Sequence, residues 1–240
     1  MDGWTSAAPL GRTRTAEFMA SVYRWMAFGL ALTGIVAYAV INSPGLLSAF
    51  YVMQDGRIAG VTGLFWVVGI AELALVWLFY PVIQRASLGA AVGMFLAYCA
   101  LTGVTFSVYL LLYTAASVAS TLFVTGGAFF ALSLYGTVTK RDLDAWRSFL
   151  FIGLVGIILA GIVNIFVRNS AMEFVISCAG VLIFAGLTAY DTQKLKVIAA
   201  QTQGDPALAS RLAVVGSLTL YLDFINLFLF ILRMMNDRRS

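Results

Sequence analysis

Three carboxylates remain inside or at the edge of long apolar stretches once the loop charges are set aside: Glu72, Asp191 and Asp223. No lysine or arginine lies deep in any of these stretches. The nearest are Arg24, Arg85 and Arg233, at their ends. A charge at the centre of a bilayer costs at least ~2.5 kcal/mol. Acids so placed are therefore protonated, hydrogen-bonded to one another, paired with an arginine at a helix end, or holding a cation. Asp223 lies in "LYLDFINLFLFILR" with apolar residues on both sides, and Asn226, three positions on, shares its helix face. Asp191 lies in "GLTAYDTQKLK", after an uncharged run that begins at Phe174. Lys194 and Lys196 follow, so the plainer reading of Asp191 is a polar helix end at the lipid interface. Glu72 reads equally as a protonated residue that bonds a neighbouring helix. Asp191 and Asp223 are the expected pair. Two carboxylates within hydrogen-bond distance share a proton. Such a pair is a pH-dependent latch, and also a hard oxygen site suited to calcium.

The rest of the composition narrows the chemistry. There is no histidine, which removes zinc and haem sites and histidine-based catalysis. A response near neutral pH must then come from carboxylates. Cys99 and Cys178 fall in apolar stretches with no CxxC spacing and read as small core residues. The net charge is +4, but the bases sit in loops and form no aromatic-interleaved stripe, so no nucleic-acid partner is expected.

These residues must be positioned by membrane helices. Of the 240 residues 61% are hydrophobic and 11% charged, against about a quarter charged in a soluble domain. Seven spans are expected, near residues 25–41, 58–83, two within 86–139, 149–167, 172–190 and 212–232. The run 86–139 carries no charge. As one helix it would reach about 80 Å, far beyond a hydrocarbon core of about 30 Å. It must fold back, and "YTAAS" (residues 113–117) is the expected turn. Gly89, Gly93 and Ala97 recur at helix-packing spacing. At 1.5 Å per residue Asp191 would stand about 7 Å from the end of a helix running to Lys196, and Asp223 about 16 Å into one starting at Leu212. Tilt, or an earlier start near Pro206, would bring the two level.

The first 17 residues are polar and lack the apolar core and cleavage site of a signal peptide, so the first span is expected to stay as an anchor. Domain organisation is read as a polar cytoplasmic segment (1–17), a seven-helix membrane domain (18–233) and a short tail (234–240). Arg12, Arg14, Arg24, Arg85, Lys140, Arg141, Arg147, Lys194, Lys196 and Arg211 fall on one side, and Arg57 and Arg168 on the other. The N-terminus is therefore expected in the cytoplasm. Seven crossings put the tail "RMMNDRRS", with its three arginines, on the far side, against the rule.

At "GLTAYDTQKLK", "GIVNIF" (161–166), "LYLDFINLFLFILR" and "FMASVYRWMAFGLALTG", the sequence resembles the Bax inhibitor family, the membrane proteins with a transmembrane Bax-inhibitor motif, in its bacterial form. The resemblance covers residues 18–233. It implies an all-α fold of seven transmembrane helices with the last at the centre, a plasma (inner) membrane location, and a pH-sensitive calcium leak. Calcium is then the transported ion, with no other cofactor and no enzymatic activity. Asp191 and Asp223 match the family's sensing pair. Glu72 matches its second-helix acid and Arg233 its last-helix arginine. Asn226, Asn164, Tyr190 and Arg85 complete the supporting polar set, Arg85 standing near the place of an arginine that latches the pair. Glu72 and Arg233 are expected to approach each other.

Two other classes compete. One is a regulatory protein that contacts a membrane protease or another membrane partner through residues 1–17. The other is an intramembrane aspartyl protease, which also uses a Tyr-Asp and a second aspartate. Here Leu220, Tyr221 and Leu222 precede the second aspartate where glycines would be needed, and Pro206-Ala207-Leu208 stands in the wrong order.

Overall fold

A computed structural model of the chain describes residues 7–83, 87–202 and 204–235, with side chains of residues 7–12 and 80–83 left aside. The chain is almost wholly helical: α1 (Ala7–Asn42), α2 (Pro44–Phe50), α3 (Gly63–Ile83), α4 (Leu88–Leu112), α5 (Ala115–Val138), α6 (Arg147–Val167), α7 (Ser170–Gln201) and α8 (Pro206–Met235). Among the described residues six helices are long and apolar enough to cross a membrane, and Gly63–Phe79 is a shorter apolar helix. The protein is thus an all-α membrane protein by architecture. Burial is greatest along α8, where 61% of the most apolar window is enclosed, against 6% in α6.

Local chemistry sets the element ends. Asp205 accepts from Leu208 N at 2.9 Å and Pro206 opens α8, a helix start in which the missing N–H is harmless. That start lies six residues before the expected one, since the polar run 201–211 reads as loop by composition but carries a cap followed by proline. Asn169 caps α7 in the same way by accepting from Met172 N at 3.0 Å. The uncharged run 86–139 does fold back where expected, with α4 ending at Leu112 and α5 beginning at Ala115.

One element departs from the sequence expectation altogether. Residues 51–61 do not begin a span. They form an antiparallel hairpin, β1 (Tyr51–Gln54) and β2 (Arg57–Val61), pairing Gln54 with Arg57 and Tyr51 with Val61. Asp55 and Gly56 both adopt positive φ, 51° and 74°, the turn that matches the twist of paired strands. Ile58 therefore belongs to a strand, and the helix expected from 58 starts at Gly63.

The chain divides into two compact units. The first holds the chain up to Thr114 with Ala199–Leu218, and the second Ala115–Ile198 with the part of α8 from Thr219. In the first, α1 and α4 approach so closely that a Cβ on Gly103 would stand 2.6 Å from Val36 Cβ, and one on Gly29 2.6 Å from the Phe95 ring. Thr33 donates across this contact to the Cys99 carbonyl at 2.9 Å. The hairpin is tied to α4 by Tyr51, whose hydroxyl meets Ser107 Oγ at 2.7 Å. Gly89, Gly93 and Ala97, expected to pack, are exposed. The close approaches on α4 fall on another face, at Phe95, Cys99 and Gly103.

In the second unit α5, α6, α7 and the outer part of α8 pack through glycines. A Cβ on Gly136 of α5 would fall on the Ala189 carbonyl, one on Gly153 of α6 on Ile183, and one on Gly180 of α7 on the Phe230 ring. Small residues at such crossings let helix backbones meet.

Candidate functional site

Asp191 is not a helix end. It stands ten residues before the close of α7 at Gln201, about 15 Å of further helix. Neighbouring residues anchor it to α5. Thr192 Oγ1 meets Ser133 Oγ at 3.0 Å, and Gly136 lies against Ala189 and Thr192. Lys196 Nζ donates to the Thr137 carbonyl at 2.8 Å. The side chain of Gln193 clamps the segment before α6, accepting from Leu143 N and donating to the Arg141 carbonyl, both at 2.9 Å. So "DTQKLK" is held by hydrogen bonds of Thr192, Gln193 and Lys196, none of which the motif alone discloses.

Asp223 is buried, 4% exposed, and Oδ2 has no hydrogen-bond partner. Among the described residues the only other buried side-chain oxygen so placed is Thr125 Oγ1, on α5. Both acids stand next to residues that contact α5: Ser133 of α5 bonds Thr192, next to Asp191, and Phe129 packs edge-on against Phe224, next to Asp223, with ring centroids 5.4 Å apart.

The remaining polar residues distribute as follows. Tyr190 is buried and donates to Asp144 Oδ1 at 3.1 Å, with Lys194 Nζ 6.0 Å from its ring centroid. Asn226 donates to the Leu222 carbonyl of its own helix at 2.8 Å. Asn164 accepts from Asn169 N at 3.0 Å, which commits its oxygen to the turn between α6 and α7. In the first unit Glu72 accepts from Thr105 Oγ1 of α4 at 3.1 and 3.3 Å, a partner that sequence spacing did not single out. In the second unit Arg233 is exposed in the last turn of α8, its guanidinium 5.8 Å from the Phe230 ring centroid. Arg85, the expected latch, lies outside the described residues.

Among the described residues no group of three or more His, Cys, Asp or Glu comes together. Asp191 and Asp223 supply four carboxylate oxygens at most, fewer than the six to eight ligands that calcium takes.

Comparison with known proteins places the sequence. The model of the family described as "Inhibitor of apoptosis-promoting Bax1" matches residues 15–240. The chain is 44% identical over 229 residues to the inner membrane protein YbhL of Escherichia coli K12, covering 95% of this chain and 94% of that one. It is 43% identical to an uncharacterised protein of Deinococcus radiodurans, covering 98% and 95%. A third relative, an uncharacterised protein of Caulobacter vibrioides, is 41% identical, covering 93% and 90%. A family match over nearly the whole chain, joined to relatives matched over nine-tenths or more of both lengths at these identities, places this chain in the Bax inhibitor family.

Proposed function

We propose that this protein is a pH-sensitive calcium leak of the inner membrane, gated by the charge on Asp191 and Asp223. In this reading α3 completes seven crossings, the N-terminus is cytoplasmic and α8 is the central helix. The observation that carries the reading is the buried, unpartnered Oδ2 of Asp223. An acceptor so enclosed is costly unless it binds a proton or a cation. The heavy burial of α8 supports its central place, and the excess of bases in the N-terminal segment and alternate loops supports the orientation.

At lower pH the two carboxyls share a proton and the ends of α7 and α8 stay together. At higher pH both ionise, repel and open a path that offers oxygens to a cation. The test is calcium flux into sealed vesicles holding only this protein, from roughly pH 6 to 8, for the parent, Asp191→Asn and Asp223→Asn. Loss of pH dependence in either variant supports the reading. Parent-like pH dependence in both would reduce Asp191 and Asp223 to structural polar residues, and absence of flux in the parent would remove the leak itself.

A further inference from the structure

A cavity of about 360 Å³ opens between α6 and α7 beside Asp191. Its lining is ordered along both helices. On α6 the face reads Arg147, then Phe151 and Leu154, the spacing of four and three residues that keeps side chains on one face. On α7, which returns antiparallel, it reads Lys194, then Tyr190 and Asp191, then Leu187. One end of the cavity is thus cationic and the other apolar, and the polarity changes in the same direction on both walls. Beyond the cavity the α6 face continues as Ile158, 53% exposed.

We propose that this cavity holds the phosphodiester headgroup of an anionic phospholipid, with the phosphate between Arg147 and Lys194 and the first acyl carbons on Phe151, Leu154 and Leu187. Several features select this occupant. Two bases, Arg147 at the start of α6 and Lys194 about two turns before the close of α7, line the same cavity, and a phosphate is the anion that two such bases suit. The acids nearby work against a free anion: Asp191 lines the cavity and Asp144 is bonded through Tyr190. An anion stays only if it is also anchored by apolar contact, which a lipid supplies through the deep end. A metal cation is disfavoured there, since Arg147 and Lys194 repel it before it reaches Asp191. The consequence rests on the leak reading above: a bound phosphate neutralises both bases and makes this side of Asp191 passable to a cation, so the leak depends on anionic lipid.

Binding is tested without calcium, so it stands or falls apart from the leak. The full chain is reconstituted in equal phosphatidylglycerol and phosphatidylcholine, and the lipid retained on the protein is read by native mass spectrometry. The parent is expected to retain phosphatidylglycerol in preference. Arg147→Gln with Lys194→Gln is expected to lower that preference roughly tenfold to thirtyfold, as for two bases at a membrane surface. Leu154→Trp keeps both bases, fills the cavity and is expected to lose the retained lipid. Lys140→Gln with Arg141→Gln removes two bases of the adjacent loop and is expected to leave the preference unchanged. Equal retention of both lipids by the parent overturns the proposal, as does an unchanged preference in the Arg147/Lys194 variant. An equal loss in the Lys140/Arg141 variant also overturns it, because diffuse surface charge then suffices. Displacement of the lipid by inorganic phosphate alone would mean an anion site with no lipid specificity, and overturns it too.

Discussion

Gly136→Ala adds one methyl group where α5 crosses α7, and the structure sets what it meets. The new Cβ would fall on the Ala189 carbonyl and 3.1 Å from Thr192 Cβ. The first obstacle is backbone, which no side-chain rotation can move aside. Ordinary contact needs ~3.5 Å, so the helices must part by about 1 Å. That movement stretches the Ser133–Thr192 bond, now 3.0 Å. Overpacking of this kind costs about 1–3 kcal/mol, and for a chain of this size each kcal/mol lowers the melting temperature by about 2–4 °C. The expected loss is about 2–12 °C, read by far-ultraviolet circular dichroism in detergent, with faster amide exchange in α5 and around Asp191. Gly127→Ala is the control on the same helix. Gly127 meets nothing within 4 Å of its would-be Cβ, and alanine is the better helix former by ~1 kcal/mol. That variant should melt at or above the parent. If Gly136→Ala melts as Gly127→Ala does, the α5–α7 crossing does not position Asp191 and the argument for the site fails at its support.

The other predictions are local. Tyr51→Phe removes the 2.7 Å contact with Ser107 and should cost about 1 kcal/mol at neutral pH. Burial pushes the Tyr51 phenol up from its ordinary value. Its neutral form is therefore favoured in the fold, and the parent should lose stability as pH rises past about 10 and through the raised value, a loss the phenylalanine variant lacks in alkaline melts. Gln193→Leu removes both clamps on the segment between α5 and α6, so limited trypsin digestion should cut faster at Lys140 and Arg141, and an unchanged rate would deny the clamp its role. Thr105→Val takes from Glu72 a donor at 3.1 and 3.3 Å and should cost about 1–3 kcal/mol, whereas Thr105→Ser should retain most of it. A Thr105→Val variant that melts with the parent would show that the hydroxyl bond to Glu72 contributes nothing.

The sequence by itself determined the solvent and the cast of residues. With 61% hydrophobic and 11% charged residues, only lipid-facing helices could satisfy the backbone. The scarcity of intramembrane charge then made Glu72, Asp191 and Asp223 conspicuous without any contact being known. The fold-back at Tyr113 was legible because helix length and bilayer thickness are fixed quantities. The hairpin was legible too, in "QDGR" between residues with strand character. The apolar run from residue 58 into α3 masks it.

What only the tertiary structure decided was relative height and facing. Spacing along one helix says nothing of how far a neighbour has slid past it. That Asp191 and Asp223 both stand beside α5 had to come from the contacts of α5 with α7 and α8. Likewise the sequence offered Gly89, Gly93 and Ala97 as a packing stripe, but which face of α4 meets α1 depends on the whole set of crossings. They chose Gly103. Arg147 and Lys194 each read as ordinary loop-end bases, placed to orient the chain. They became a pair only when α6 and α7 turned back on each other at Asn169 and brought residues 147 and 194 to one cavity.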